Sequence, residues 1–271
     1  MTENRKQNAE YRKRRSRVVQ IPFALCFMLF AFTGQAFAEL TVDANHSHVK
    51  IDFFYHGSTM SVRGVSDPGV DLIIKLASPD GHEVLKQKGK VAGVLWMNVG
   101  TLKFENAPGV YFLHSTKKVE DILSSEEMER HSIGYPALAK HIQMSPVSNE
   151  EEKTKWFNEF VRFKENSRLY STSTGKISLT EKDGKGNYYI LTEWPYQVPP
   201  GTYTVTAYAV KDRKVVETAQ TNITVEQVGV VKTLANMAKN NGVLYGIISI
   251  VAALGAGFGV GLIFRKGGGA H

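Results

Sequence analysis

The sequence predicts a mainly β protein: one or two antiparallel immunoglobulin-like β-sandwiches with a helical insertion, plus one C-terminal transmembrane helix. Three observations carry this. Residues 39–115 and 176–225 alternate apolar and polar positions, broken by turn residues about every ten positions; period two marks strands, and short strands so punctuated read as a sandwich. Residues 118–170, lying between them, shift to helical spacing. Val243–Phe264 then holds 22 residues without a charge. At a rise of ~1.5 Å per residue that run reaches ~33 Å, enough to cross a hydrocarbon core of ~30 Å.

In chain order, residues 1–38 read as a secretory signal: a basic head, the apolar run IPFALCFMLFAF at 21–32, and an A-x-A ending at Ala38. Cys26, the single cysteine, lies within that run, so the mature body would have no disulfide and no thiol chemistry. The residue before it is Leu25, where lipid attachment wants a small one.

Residues 39–117 form the first β-rich part. Val49, Ile51 and Phe53 alternate with Lys50 and Asp52, and Val70–Leu76 is apolar enough to be covered on both faces. Val91–Val99, Leu102–Phe104 and Val110–Leu113 follow as strands. Asp67-Pro68-Gly69, Pro79-Asp80-Gly81, Val99-Gly100 and Ala107-Pro108-Gly109 are read as turns between them.

Residues 118–170 form the helical insertion. Its best helix runs from Asn149 to Leu169, capped by Asn149 or Ser148, with Glu150, Glu151 and Glu152 at the positive end of the dipole. Trp156, Phe157, Phe160, Val161 and Phe163 supply its apolar face. The second β-rich part, 171–226, has hairpin turns at Lys182–Asn187 and Lys211–Arg213. Pro199–Val205 resembles the strand entry at which a tyrosine ties down a corner. Residues 227–242 are a juxtamembrane helix, 243–264 the span and 265–271 a short cytoplasmic tail.

The chain carries +7 and a pI near 9.3. Seven cations against two acids give residues 1–38 a charge of +5, Arg265 and Lys266 add +2, and residues 39–264 are neutral. The basic charge therefore flanks the apolar segments, as membrane topology asks, and leaves no footprint for a nucleic acid. The expected product is a single-pass protein of a bacterial inner membrane with its main domain in the periplasm.

Several phrases, taken together, resemble the Alph_Pro_TM family. They are Gly69-Val70-Asp71-Leu72-Ile73, Lys90–Gly93 into Trp96-Met97-Asn98, Ser115-Thr116, Ile133-Gly134, Pro200-Gly201-Thr202-Tyr203 and Leu244-Tyr245-Gly246. The resemblance spans nearly the whole mature chain. It implies a bacterial transmembrane protein without an assigned activity, and association with a neighbouring permease of the TauE/SafE type. It assigns no catalytic residue and no cofactor.

Two groups of residues are candidate sites. Ser249, Ala253, Gly257 and Gly261 form a small-residue stripe in the span, with Gly255 and Gly259 as a second pair beside it. Small residues let helix backbones approach in lipid, so a permease or a second copy is the expected partner. His46, His48 and His56 are candidate metal ligands, and an anchored copper or zinc binder is the alternative function. An enzyme of unrecognised type is the other alternative. H-E-x-x-H, a nucleophile elbow and a phosphate loop are all missing from the sequence, so no enzymatic role is expected.

Overall fold

A computed structural model describes residues 39–265 of the chain. In order, the strands before the helical segment are β1 (Asp43–Ala44), β2 (His48–Ile51), β3 (Ser58–Ser66), β4 (Asp71–Ala77), β5 (Asp80–Val91), β6 (Leu95–Pro108) and β7 (Tyr111–Ser115). Helices α1 (Val119–Ile122), α2 (Ser125–His131) and α3 (Tyr135–His141), strand β8 (Gln143–Ser145) and helix α4 (Glu150–Asn166) follow. The later strands are β9 (Tyr170–Thr174), β10 (Ser178–Lys182), β11 (Lys185–Trp194), β12 (Gly201–Lys211) and β13 (Lys214–Gln227), ahead of α5 (Gly229–Asn240) and α6 (Gly242–Arg265).

The central sheet has the order β2-β13-β12-β4-β7-β9, with β2 parallel to β13 and β7 parallel to β9. A second sheet, β1-β3-β11-β10, faces it. Early and late strands pair with each other, β3 on β11 and β4 on β12. The two β-rich parts of the sequence thus build one pair of sheets.

The middle strands of the central sheet, β12, β4 and β7, are buried on both faces, as the apolar run of β4 predicts. Leu72, Ile74 and Leu76 point into a core shared with Met60, Val62, Ile190 and Trp194 of the facing sheet. Ile73 points the other way, into a second core with Tyr208, Leu123, Ile133 and Phe160. Alternation along one strand therefore feeds two layers, and each fully buried aliphatic contributes ~1.5–3 kcal/mol. β11 alternates exposed and buried at every position, with one face on the core and one in water.

Turn chemistry follows the sequence. Asp183 and Gly184, and likewise Asp212 and Arg213, take left-handed φ and close the hairpins β10–β11 and β12–β13. The Tyr203 hydroxyl donates to Pro199 O at 2.6 Å and pins the entry to β12. The Asn149 side chain accepts from Glu152 N at 2.8 Å and caps α4.

Three expectations are corrected. Val91–Val99 is not one strand: Ala92 (φ 50°) and Gly93 (φ 76°) take the left-handed conformation and turn the chain. This is the tip of a long hairpin, β5–β6, and Asp80 opens a strand instead of sitting in a turn. On α4 the buried positions are Phe157, Phe160, Val161 and Lys164. Their spacing of three, four and seven is one helical face, which leaves Phe163 off it and 48% exposed.

Candidate functional site

The strongest candidate is α6. Its 24 residues carry no charge until Arg265, and at ~1.5 Å per residue they extend ~36 Å. None of the spanning segment Gly242–Leu262 is buried within the protein. Leu254 and Phe258 stand free in the same way as the residues around them. A helix that is apolar all round needs an apolar solvent or a partner. Ser249, its one hydroxyl outside Tyr245, donates to Tyr245 O at 2.8 Å and so hides its own polarity.

The small residues are placed by helix geometry. At 100° per residue Ser249, Ala253, Gly257 and Gly261 drift round one side. Gly255 and Gly259 lie two positions from Gly257 and Gly261, roughly 200° round. They form a groove on the opposite face and do not lie beside the first stripe. A Cβ added at Gly255, Gly257, Gly259 or Gly261 would meet nothing within 4 Å. Both grooves are open.

The histidines are not brought together. His46 lies in the bend between β1 and β2, and His48 opens β2 opposite Thr224; both are exposed. His56 lies in the loop before β3, its ring bonded to Phe54 O. Among the described residues no group of three or more His, Cys, Asp or Glu side chains is arranged to hold a metal ion.

Pattern reading missed a groove of about 890 Å³ between the edge strand β9 and the end of β11. Ser171, Ser173, Thr172 and Thr59 give it hydroxyls, and Glu165, Arg168, Lys176 and Glu193 give it charge of both signs. His114 forms its floor. The parallel pairing of β7 with β9 sets His114 against Ser173. Its Nδ1 lies 2.6 Å from Ser173 Oγ and its Nε2 3.2 Å from Thr192 Oγ1. Burial, aided by the nearby Lys176 ammonium, lowers its pKa to about 4. A histidine held neutral between two hydroxyls orients them as hydrogen-bond partners. Ser115 is adjacent to His114 in the chain but does not bond to its ring. The signal is a long-range register, which no local pattern in the sequence reveals.

The family model described as "Putative transmembrane protein (Alph_Pro_TM)" matches residues 39–266. No curated protein matches the chain.

Proposed function

The chain belongs to the Alph_Pro_TM family, and on that premise we propose that it anchors a β-sandwich binding or accessory module to a bacterial inner membrane by a single span. The module lies on the periplasmic side. Residues 1–38 have the composition of an export signal, and Arg265 and Lys266 are the cations that stay inside. We read the sandwich as immunoglobulin-like; the orders β1-β3-β11-β10 and β2-β13-β12-β4, and the Tyr203 bond to Pro199 O in the position of a tyrosine corner, support that reading.

The observation that carries the proposal is α6, fully apolar, unburied and grooved by glycines on two faces. Packing in lipid is driven by close approach of backbones, so those grooves take another helix. The partner is a permease of the TauE/SafE type or a second copy of this chain. The body is read as a binding module. With its pKa lowered to about 4 by burial, His114 is a weak base toward Ser173 near neutral pH, and among the described residues both its ring nitrogens face hydroxyls, those of Ser173 and Thr192.

Co-purification of the tagged full chain in mild detergent tests this. A permease or a second copy is recovered. Gly257→Leu with Gly261→Leu, or Gly255→Leu with Gly259→Leu, fills one groove and reduces recovery several-fold. Recovery unchanged in both pairs contradicts helix packing.

A further inference from the structure

We propose that the end of the sandwich from which the chain leaves for the membrane is itself a lipid-binding surface, with the β5–β6 hairpin as its cationic contact to anionic headgroups. This goes beyond anchoring by α6. It concerns the folded body and none of the residues of the span.

The topology places the parts. β13 ends at Gln227 and the chain goes on through α5 to α6. β4 runs in the same direction as β13, because both are antiparallel to β12 between them. Ala77 at the end of β4 and Asn222 near the end of β13 both sit opposite Thr204. Two strand spacings, ~10 Å, separate them. The hairpin begins three residues after Ala77, so its root lies at the end of the sheet that feeds the membrane helix. β2 ends at the same place: Ile51 pairs with Gln227, and Val228 N donates to Ile51 O at 2.9 Å.

Exposed aromatic side chains gather there. Phe53 and Phe54 follow β2, are 72% and 76% exposed, and pack edge to face with ring centroids 5.3 Å apart. Tyr196 is exposed in the loop that enters β12 from this end. Large apolar side chains left in water at one end of a domain mark a contact surface.

The hairpin supplies the charge. From Val84 to Lys103 it holds Lys86, Lys88, Lys90 and Lys103 and no acid. Leu102 and Phe104 bury its root, while the outer part is exposed, Val94 at 78% and Trp96 at 66%. Register sorts the faces. Val91 opposite Leu95 and Gly89 opposite Met97 make one apolar face, and Lys90 opposite Trp96 and Lys88 opposite Asn98 make the other. The Lys90 ammonium lies 5.5 Å from the Trp96 ring centre. An apolar tip, a tryptophan and lysines without acids match a phosphate-bearing lipid interface. The occupant is the bilayer that α6 already crosses, because the tether holds this surface near it at high effective concentration.

The test uses the full chain in lipid nanodiscs with a quencher in the headgroup region, made either with anionic phosphatidylglycerol or with phosphatidylcholine alone. Trp194 is buried and Trp156 half-buried, so the accessible signal comes from Trp96. Tryptophan quenching is expected in anionic discs, and Trp96→Phe should remove most of it. Lys86→Gln/Lys88→Gln/Lys90→Gln or phosphatidylcholine discs should at least halve it. All these side chains are exposed, so the fold is retained, which circular dichroism checks. Quenching unchanged by Trp96→Phe, or equal in the two lipids, overturns the proposal. So does a photo-crosslinker at position 96 that captures a protein in place of lipid. Failure of this test leaves α6 in the membrane, which cell fractionation reads separately.

Discussion

Acidification should weaken the sandwich through His114. The ring is buried, bonded to Ser173 and Thr192, and its pKa is lowered from 6.5 to about 4. The folded state therefore binds fewer protons than the unfolded state between those values. Stability is full above pH 6.5 and is lost as pH falls towards 4. At pH 4.5 the linkage relation gives a loss of about 2.5 kcal/mol relative to pH 7. Urea unfolding of the full chain in detergent, followed by tryptophan fluorescence, reads this. With a slope of ~2 kcal/mol per molar, the midpoint falls by about 1 M. His114→Gln keeps groups that can reach both hydroxyls but does not titrate. Carboxylates, and His131, whose pKa burial also lowers, titrate in both proteins and cancel in the comparison. Equal losses in wild type and His114→Gln would refute the assignment.

Three further outcomes follow from the packing. Gly64→Ala in β3 would set a Cβ 1.9 Å from Thr41 O and 2.5 Å from the Tyr188 hydroxyl, so it should cost about 3 kcal/mol or more, or stop folding, in the same urea assay. Lys164 is buried with its Nζ 2.6 Å from Glu83 Oε1 and 3.3 Å from Gly109 O. Glu83→Gln should cost about 3 kcal/mol by stranding that charge, and Glu83→Gln with Lys164→Met should recover most of the loss. Tyr203→Phe removes the 2.6 Å bond to Pro199 O and should lower stability by about 1 kcal/mol, read as a smaller midpoint shift.

Where local rules dominate, the sequence was legible. Asn149 caps α4 as its position suggests, the Asp183-Gly184 turn closes its hairpin, and β4 has two buried faces. The span needs only length and apolarity, and both are visible in Val243–Phe264. The β5–β6 hairpin was harder. Its stem runs through Lys86, Lys88 and Lys90 with little apolar content, and Ala92 adopts a left-handed φ that its side chain does not advertise. Lys164 was hidden because a lysine counts as polar until Glu83 arrives from 81 residues away. The groove around His114 depends on β7 meeting β9 across 59 residues. Gly255 and Gly259 lie on the face opposite Gly257 and Gly261, because two positions turn an α-helix by roughly 200°, which four-residue spacing within each pair does not display.

The central claim is that α6 crosses a bilayer and holds the sandwich outside it. Protease added to spheroplasts expressing the full chain tests this most directly. The prediction is digestion of the region 39–227 from outside, leaving a small membrane-bound fragment that contains α6. Recovery of intact protein in the soluble fraction, or digestion only after the membrane is broken, would contradict it.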